Sequence, residues 1–556
     1  MSLIRSYLCD QLNAAILKSL GSEVVRAADI TIEKPKQKQF GDYATPIAMT
    51  AAKKLRQPPP QVARAIMQHF IWDDRFVEAD PMLTTTIAGG FINFKLSRNY
   101  LNTTLQSILI SPQDFGRNQV TPQRILLEYV SANPTGPMVV VNGRAAAIGD
   151  VVARVNQYIG NQVETEFYVN DWGNQVELLG KSVAVRYRQK RGEEAVIPEG
   201  GYEGEYIAEL GEEIAGQYPE TAQKTGTELE QFFKTKALER NIQNQQTILK
   251  EYRTEFTRWF RESSLHASGS VTQTYEFLKS KGLTFEQDGA VWFKATAMGD
   301  ERDRVIIRTD GTPTYILADI AYHAHKAARG YDESITFWGP DHHGHIPQLE
   351  KAVKALGIEK PLFKNLLIQQ VNLIRDGQPF KMSKRKGDFV AISDLLSEVS
   401  VDAARYFFLM RKLSSHFDFD LSLAQKQGDE NPVFYVQYAH ARTCSLIAHA
   451  LDLGYTIEQI ITAPFSAITE PEGLECLKII SDFPEILLQT AQQIEPHRIT
   501  LYCESLAASF HHFYSKHRVL GDDKVQSVAR LQITMAVRNA LRTALSVLGV
   551  TAPDRM

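Results

Sequence analysis

The chain has 556 residues, too many for one hydrophobic core, and the usual domain size divides it into about three or four units. Hydrophobic residues make up 44% and charged residues 23%, which excludes a disordered or fibrous class, and the net charge of −4 excludes a generally basic nucleic-acid coat while leaving room for a local basic patch. No apolar run has the length of a bilayer span, and Arg5, Asp10 and Gln11 break up the N-terminal apolar residues, so a cytosolic protein is expected.

Residues 1–112 read as a separate α+β module. Leu8, Leu12, Ile16 and Leu20 recur at helical spacing to open it, and an alternating strand over residues 84–96 closes it. Between them Lys34-Pro35-Lys36-Gln37-Lys38 leads into Phe40-Gly41-Asp42-Tyr43-Ala44-Thr45. On charge pattern alone, such a lysine cluster is an ordinary solvated loop.

Residues 113–390 alternate strands and helices, as a doubly wound parallel sheet does, with a Glu-, Gln-, Lys- and Arg-rich insertion at about 185–260 that reads as helical and solvated. The pivotal stretch is Leu126 to Asp150. A β-rich run from Arg124 to Ser131 meets the breakers Asn133-Pro134-Thr135-Gly136-Pro137, and an Ala- and Arg-rich helix begins near Asn142. Strand, tight loop, helix is the arrangement that offers unpaired N–H groups to an anion, so a nucleotide is the first expectation, against an ordinary unliganded junction. Gly180-Lys181-Ser182 is not a P-loop, because position 175 holds Gln175 where the motif needs glycine. No G-x-G-x-x-G follows a strand either. Further on, the run Val371 to Phe380 reads as a hairpin turning at Asp376-Gly377, followed by Lys381-Met382-Ser383-Lys384. Two lysines three apart on a loop can neutralise charge moving onto pyrophosphate, although lysine pairs are common on any surface.

Residues 391–430 read as a connecting helical segment and 431–556 as a helix bundle, opened by Asn431-Pro432-Val433-Phe434-Tyr435-Val436-Gln437-Tyr438. Its last stretch carries Lys516, Arg518, Lys524, Arg530, Arg538 and Arg542, a basic face that means solubility or nucleic-acid contact. Cys9, Cys444, Cys476 and Cys503 include no C-x-x-C pair, so neither a thiolate zinc site nor a disulfide framework is expected.

Glu128-Tyr129-Val130-Ser131-Ala132-Asn133-Pro134-Thr135-Gly136-Pro137 resembles the first-strand signature of the arginyl-tRNA synthetases, a class I family. Four further blocks resemble the same family in the same order. They are Tyr168-Val169-Asn170-Asp171-Trp172-Gly173-Asn174-Gln175, Arg308-Thr309-Asp310-Gly311-Thr312-Pro313-Thr314-Tyr315, Trp338-Gly339-Pro340-Asp341-His342-His343-Gly344 and Phe380-Lys381-Met382-Ser383-Lys384. The resemblance covers almost the whole chain. It implies a Rossmann-like catalytic domain, an added N-terminal tRNA-binding domain and a helical anticodon-binding domain whose ending Ala552-Pro553-Asp554-Arg555-Met556 fits the family. The implied activity is ATP- and Mg²⁺-dependent joining of L-arginine to its tRNA by a monomer, with no tightly bound metal.

The resemblance also assigns residues. Lys381, Lys384, Asn142 and Arg144 are expected to act on the reacting phosphates, and Pro137, Val139, Val141, Gly339, Asp341, Met382 and Ser383 to line the ATP site together with Asn142 and Lys384. A guanidinium is best recognised by carboxylates and an aromatic face, and the candidates are Glu128, Asn133, Tyr315, Asp319, Glu262 and His343. Asp341-His342-His343-Gly344-His345 matches no zinc spacing and is expected to face arginine, ATP or ribose. For tRNA, Lys36, Lys38 and Tyr43 are expected at one end and Tyr435, Arg518, Arg530 and Arg538 at the other.

One departure stands out. The class I pattern His-x-Gly-His would fall on Val139, Val140, Val141 and Asn142, which removes both histidine donors and puts bulk where adenine should lie. Losing one preorganised donor costs roughly 3 kcal/mol of transition-state stabilisation. A working ligase is the favoured reading. A catalytically impaired tRNA-binding paralogue with a regulatory or chaperone role is the first alternative, and a ligase for another amino acid or amine acceptor is the second.

Overall fold

The structure is a computed structural model that describes residues 4–22, 24–118, 120–358, 361–380 and 390–556. At the N-terminus, helix Ile4–Leu20 buries Ile4, Tyr7, Leu8, Leu12, Ala15 and Ile16, the stripe that helical spacing predicts. Strands β1 (Tyr43–Thr45), β2 (Ile87–Ala88) and β3 (Phe91–Phe94) form an antiparallel sheet in the order β1-β3-β2. The single strand expected over residues 84–96 is therefore a hairpin. Gly89 and Gly90 turn it at φ 58° and 95°, and a Cβ on Gly90 would lie 2.6 Å from Pro59 Cβ, so only glycine fits.

The central sheet holds β4 (Arg124–Glu128), β5 (Gln162–Val169), β6 (Arg258–Arg261), β10 (Glu333–Trp338) and β11 (Leu362–Leu367), all parallel, in the order β11-β10-β4-β5-β6. The chain runs outward from β4 through β5 to β6, then returns to the other side of β4 for β10 and β11. The direction of winding reverses between β4 and β10, the switch point where open parallel sheets have their crevice, beyond the carboxyl ends of those two strands. A small antiparallel sheet, β7 (Thr284–Gln287), β8 (Ala290–Phe293) and β9 (Arg304–Ile307), lies between β6 and β10 in the chain.

The insertion is helical, as expected. Helices Asn174–Lys190, Glu205–Gln217 and Gly226–Glu251 pack through Leu179, Val183, Ile207, Leu210, Leu229 and Phe233. Beyond the sheet, β12 (Val371–Arg375) and β13 (Gln378–Pro379) make the hairpin expected at Asp376-Gly377. Strand β14 (Phe417–Asp420) pairs with β12 in parallel, one strand within the segment the sequence reads as a helical connection. From Pro432 the chain is an all-α bundle. Asn431 caps its first helix, Pro432–Asp452, by accepting from Val433 N, and Asp523 caps the last, Lys524–Leu548. Among the described residues no helix is long and apolar enough to cross a membrane.

Candidate active site

The turn that leaves β4 is strained. Val130 and Ser131 have φ of 69° and 39°, left-handed conformations that a β-branched residue in particular avoids, and they end the strand expected to run to Ser131. Ser131 Oγ donates to Glu128 Oε1 (3.2 Å) and accepts from Tyr168 N (3.1 Å), tying the turn to β5. The chain then pairs with the segment around Ala391. Val140 N donates to Val390 O (3.0 Å) and Ile392 N to Met138 O (2.9 Å), with a bridge between Val139 and Ala391. Helix Val140–Ile159 starts two residues before the expected Asn142. Asn142 Oδ1 accepts from Val139 N (2.8 Å), so the NH₂ end of its amide is the end left to donate to a ligand.

Lys381, Met382, Ser383 and Lys384 lie outside the described residues. The described residues on either side of them are Phe380 and Val390. Phe380 closes the hairpin by donating to Leu373 O (2.8 Å), and Val390 accepts from the first turn of the Val140–Ile159 helix. Pro137 is exposed and Val141 half-buried near that turn. Across the crevice, Gly339 follows β10, where a Cβ would come within 2.7 Å of Asp341 Oδ1, and exposed Asp341 lies 3.4 Å from His342 Nε2.

Arg144 does not face this crevice. It is fully buried and donates to the carbonyls of Gln369 (3.0 Å), Ser415 (3.0 Å) and Lys412 (2.8 Å), and burial lowers its pKa to about 10. A guanidinium spent on three loop carbonyls holds the loops and is not available to phosphate. Glu128 is not free for arginine either. Its carboxylate accepts from buried Lys326, which also donates to Thr336 Oγ1 (3.2 Å), so the pair is neutral without a ligand.

Beside the crevice the structure gathers an acidic slot. Asp319, on helix Tyr315–Ala328, has its Oδ2 2.8 Å from His345 Nε2, and the Tyr315 ring lies 5.2 Å from that of His345. His345 therefore occupies the place the sequence reading gave to His343, which is exposed. Glu262 opens the short helix after β6. Asn170 donates to Glu262 Oε2 (3.0 Å) and to Trp172 O (3.2 Å) in the amide orientation that satisfies both of its ends, and Asn133 Oδ1 lies 3.3 Å away. Asp171 accepts from Ser263 N and Oγ, both at 2.8 Å, and so fixes the start of the Glu262 helix. Burial raises the Glu262 carboxyl to about 7, the charges of Asp319 and Asp171 add to it, and a hydrogen bond from Tyr168 opposes it. Tyr168 is itself pushed well up by burial and by Glu262 and Asp319. Among the described residues neither Glu262 nor Asp319 is paired with a lysine or arginine. Two neighbouring carboxylates, an aromatic hydroxyl and amide groups have the chemistry to accept from a planar cation with several N–H donors. The resembling blocks contain Tyr168 and Asn170 but carry no periodicity that would assign them to the slot, and His345 belongs to the histidine run expected to face arginine, ATP or ribose.

The expected RNA contacts divide. Tyr43 is 1% exposed and donates to Asp482 Oδ1 (2.9 Å), so it cannot stack on a base. Lys38 pairs with Glu475 (2.7 Å), Lys34 with Asp482, and Lys478 with Asp42 (2.7 Å), which docks the N-terminal module on the bundle, while Lys36 stays exposed. Arg530 is held by Glu470 (2.8 Å) and by the carbonyl of Arg518 (2.7 Å), and half-buried Arg538 by Asn539 Oδ1 (3.1 Å), so both are structural as placed. Arg518 is exposed, and the half-buried Tyr435 ring lies 4.9 Å from that of His511. Among the described residues, metal-type side chains converge at His440, Cys444 and Asp554 in the bundle, where Arg542 already donates to Asp554 (2.8 Å).

Comparison with known proteins covers the chain end to end. Residues 6–96 match the arginyl tRNA synthetase N terminal domain, 104–412 the catalytic domain of class I (R) tRNA synthetases, and 436–556 the DALR anticodon binding domain. The chain is 42% identical over 555 residues to the arginine–tRNA ligase of Symbiobacterium thermophilum, covering 100% of this chain and 98% of that one. It is 39% identical over 557 residues to that of Bacillus subtilis, covering 100% and 99%. Among solved structures, the arginyl-tRNA synthetase of Thermus thermophilus superposes with a TM-score of 0.77 over the full length of both chains at 22% identity, a likeness of fold. A Campylobacter jejuni arginyl tRNA synthetase matches 83% of this chain and 100% of its own at 34% identity and a TM-score of 0.77.

Proposed function

The chain belongs to the arginyl-tRNA synthetases, and from that premise we propose how this particular site activates arginine and passes it to tRNA. It is an arginine–tRNA ligase that uses ATP, arginine and tRNA(Arg). The guanidinium of arginine sits between Asp319 and Glu262, with Tyr168 and Asn170 supplying the remaining polar contacts, Tyr315 an aromatic face and His345 holding Asp319. Asn133, next to Asn170, lies on the side of the β4 turn and orients the rest of the amino acid. MgATP enters the crevice between β4 and β10 with its phosphates at the start of the Val140–Ile159 helix. The positive end of the helix dipole, the Asn142 amide, and Lys381 and Lys384 stabilise the developing charge. An arginine carboxylate oxygen attacks the α-phosphorus as its bond to the pyrophosphate oxygen breaks. The arginyl-adenylate then loses AMP as a terminal ribose hydroxyl takes its carbonyl carbon. Lys36, Arg518 and Tyr435 are the tRNA contacts retained from the sequence reading. The same reading is of a cytoplasmic monomer.

The observation that supports this reading is the acidic slot itself. Two carboxylates with no lysine or arginine partner among the described residues, one of them raised to about 7, are poorly stable together until a cation joins them. Arginine-dependent ATP–pyrophosphate exchange in the presence of tRNA is the test. Asp319→Asn is expected to lower kcat/KM for arginine by about a hundredfold or more, and an unchanged value removes Asp319 from the pocket. The impaired-paralogue reading draws on Val139 and Val141 alone. Tight tRNA binding without exchange in the wild-type chain would favour it.

A further inference from the structure

We propose that Asn241 and Gln245, on the Gly226–Glu251 helix of the insertion, are positioning residues that clamp the turn after β4 in its active shape, an inference that rests on the reading of the site given above. The turn needs a clamp. Val130 and Ser131 hold left-handed backbone that costs energy, and such backbone persists only where its surroundings over-determine it. After them, the carbonyls of Ala132, Asn133 and Pro134 have left the sheet, and Pro134 has no N–H of its own. Among the described residues, the side-chain donors that meet these three consecutive carbonyls all come from one helix. Asn241 Nδ2 donates to Pro134 O (2.8 Å), and Gln245 Nε2 donates to Ala132 O (3.3 Å) and Asn133 O (3.2 Å).

The two amides stand four residues apart on one helix face and are 7% and 2% exposed. Burying amides is unfavourable unless they are hydrogen-bonded, and here the bonds go to a single turn and not to scattered neighbours. Gln245 Oε1 is buried with no partner, so the side chain is engaged by its N–H end alone. The contact is not part of a filled core either. A cavity of about 370 Å³ opens on the same side, lined among others by Pro137, Met138, Asn241, Gln245 and Ile392.

The turn leads both ways into the site. The Asn133 side chain meets Asn170, which donates to Glu262, and residues beyond Pro134 lead to the first turn of the phosphate-facing helix. Loosening these carbonyls therefore shifts the guanidinium slot and the phosphate end together, without touching the tRNA-binding bundle.

The test compares wild type, Asn241→Ala and Gln245→Glu in tRNA-supported ATP–pyrophosphate exchange at saturating arginine, alongside tRNA affinity and thermal unfolding. Asn241→Ala is expected to lower kcat by about tenfold to a hundredfold, the cost of a small misplacement of reacting groups, with tRNA affinity unchanged. Gln245→Glu keeps the size of the side chain but can donate only when protonated. Its rate relative to wild type should rise as pH falls, with an apparent pKa above the ordinary carboxyl value of about 4.3. A helix that merely packs would give no such pH-dependent ratio. Wild-type exchange with both variants equal to it, or a flat ratio for Gln245→Glu, overturns the clamp and leaves the site reading standing. Absence of exchange in the wild type overturns the site reading and the clamp with it. Should Asn241→Ala fail to fold, the Gln245→Glu ratio decides.

Discussion

Glu262 holds its proton to about pH 7 because burial strips its carboxylate of water while Asp319 and Asp171 press negative charge on it. An unfolded chain releases that proton near the ordinary carboxyl value of about 4.3. The folded state thus binds more protons through that window, and this group's contribution to stability falls as pH rises from the ordinary value to about 7. A guanidinium reverses the preference by favouring the charged carboxylate, so arginine binding should release a proton. Arginine affinity is expected to weaken as pH falls below about 7. Glu262→Gln should abolish that dependence, bind arginine poorly, and melt at a higher temperature than the parent above pH 7, all readable by calorimetry. At Val139 the missing donor can be put back. The Val139 backbone is held by its bridge to Ala391, so Val139→His leaves the pairing intact and should raise the exchange rate by up to about a hundredfold. No gain would show that the phosphates do not approach that side chain.

The strand, turn and helix around β4 work as one element because Tyr129 lies across the Val140–Ile159 helix. A Cβ on Gly149 would fall 2.2 Å from the Tyr129 ring, so glycine is what lets helix and strand approach. Tyr129 in turn packs against Phe256 (4.5 Å) and Phe337 (6.5 Å), the latter on β10. Gly149→Ala is expected to destabilise by about 1–3 kcal/mol through overpacking, seen as a lower denaturation midpoint. Because Tyr129 immediately precedes the strained residues, exchange activity should fall further than the stability loss alone explains. Equal stability would mean the ring can move aside freely. At this scale sequence punctuation locates two element boundaries. Asp376-Gly377 gave the hairpin, and Asn431-Pro432 gave the start of the bundle. The strand reading failed at Gly89-Gly90, where two glycines inside an alternating run marked a turn that the alternation concealed.

At the scale of the molecule, the domains meet at a fully buried arginine. Arg405 donates to Leu548 O at the end of the last bundle helix (3.1 Å), to Tyr252 O after the insertion helix (3.0 Å), and to Asp150 on the Val140–Ile159 helix, whose carboxylate also takes Arg154 (2.7 Å). Arg405→Met is expected to cost about 3–5 kcal/mol, because it leaves Asp150 with one charge partner and several carbonyls with none. Denaturant unfolding followed by two probes checks it, and a loss under 1 kcal/mol would show that the junction relaxes without it. Five ordered motifs sufficed for the family, the parallel sheet, the N-terminal module and the helical bundle, because strand-loop-helix punctuation and hydrophobic period are local properties that a chain carries in its own order. Of the residues proposed for the arginine slot, Asn133 stands in such a motif and Asp319 four residues beyond one, whereas Glu262 lies in none of the five. What only the tertiary structure decided was who pairs with whom. Lys326 claims Glu128, three carbonyls claim Arg144, Asp482 claims Tyr43, and His345 rather than His343 reaches Asp319. A carboxylate, a guanidinium or a phenol looks the same in sequence whether it awaits a ligand or is already satisfied. The difference is set by neighbours brought from as far as 439 residues away, as with Tyr43 and Asp482, and by how much water the fold leaves around them.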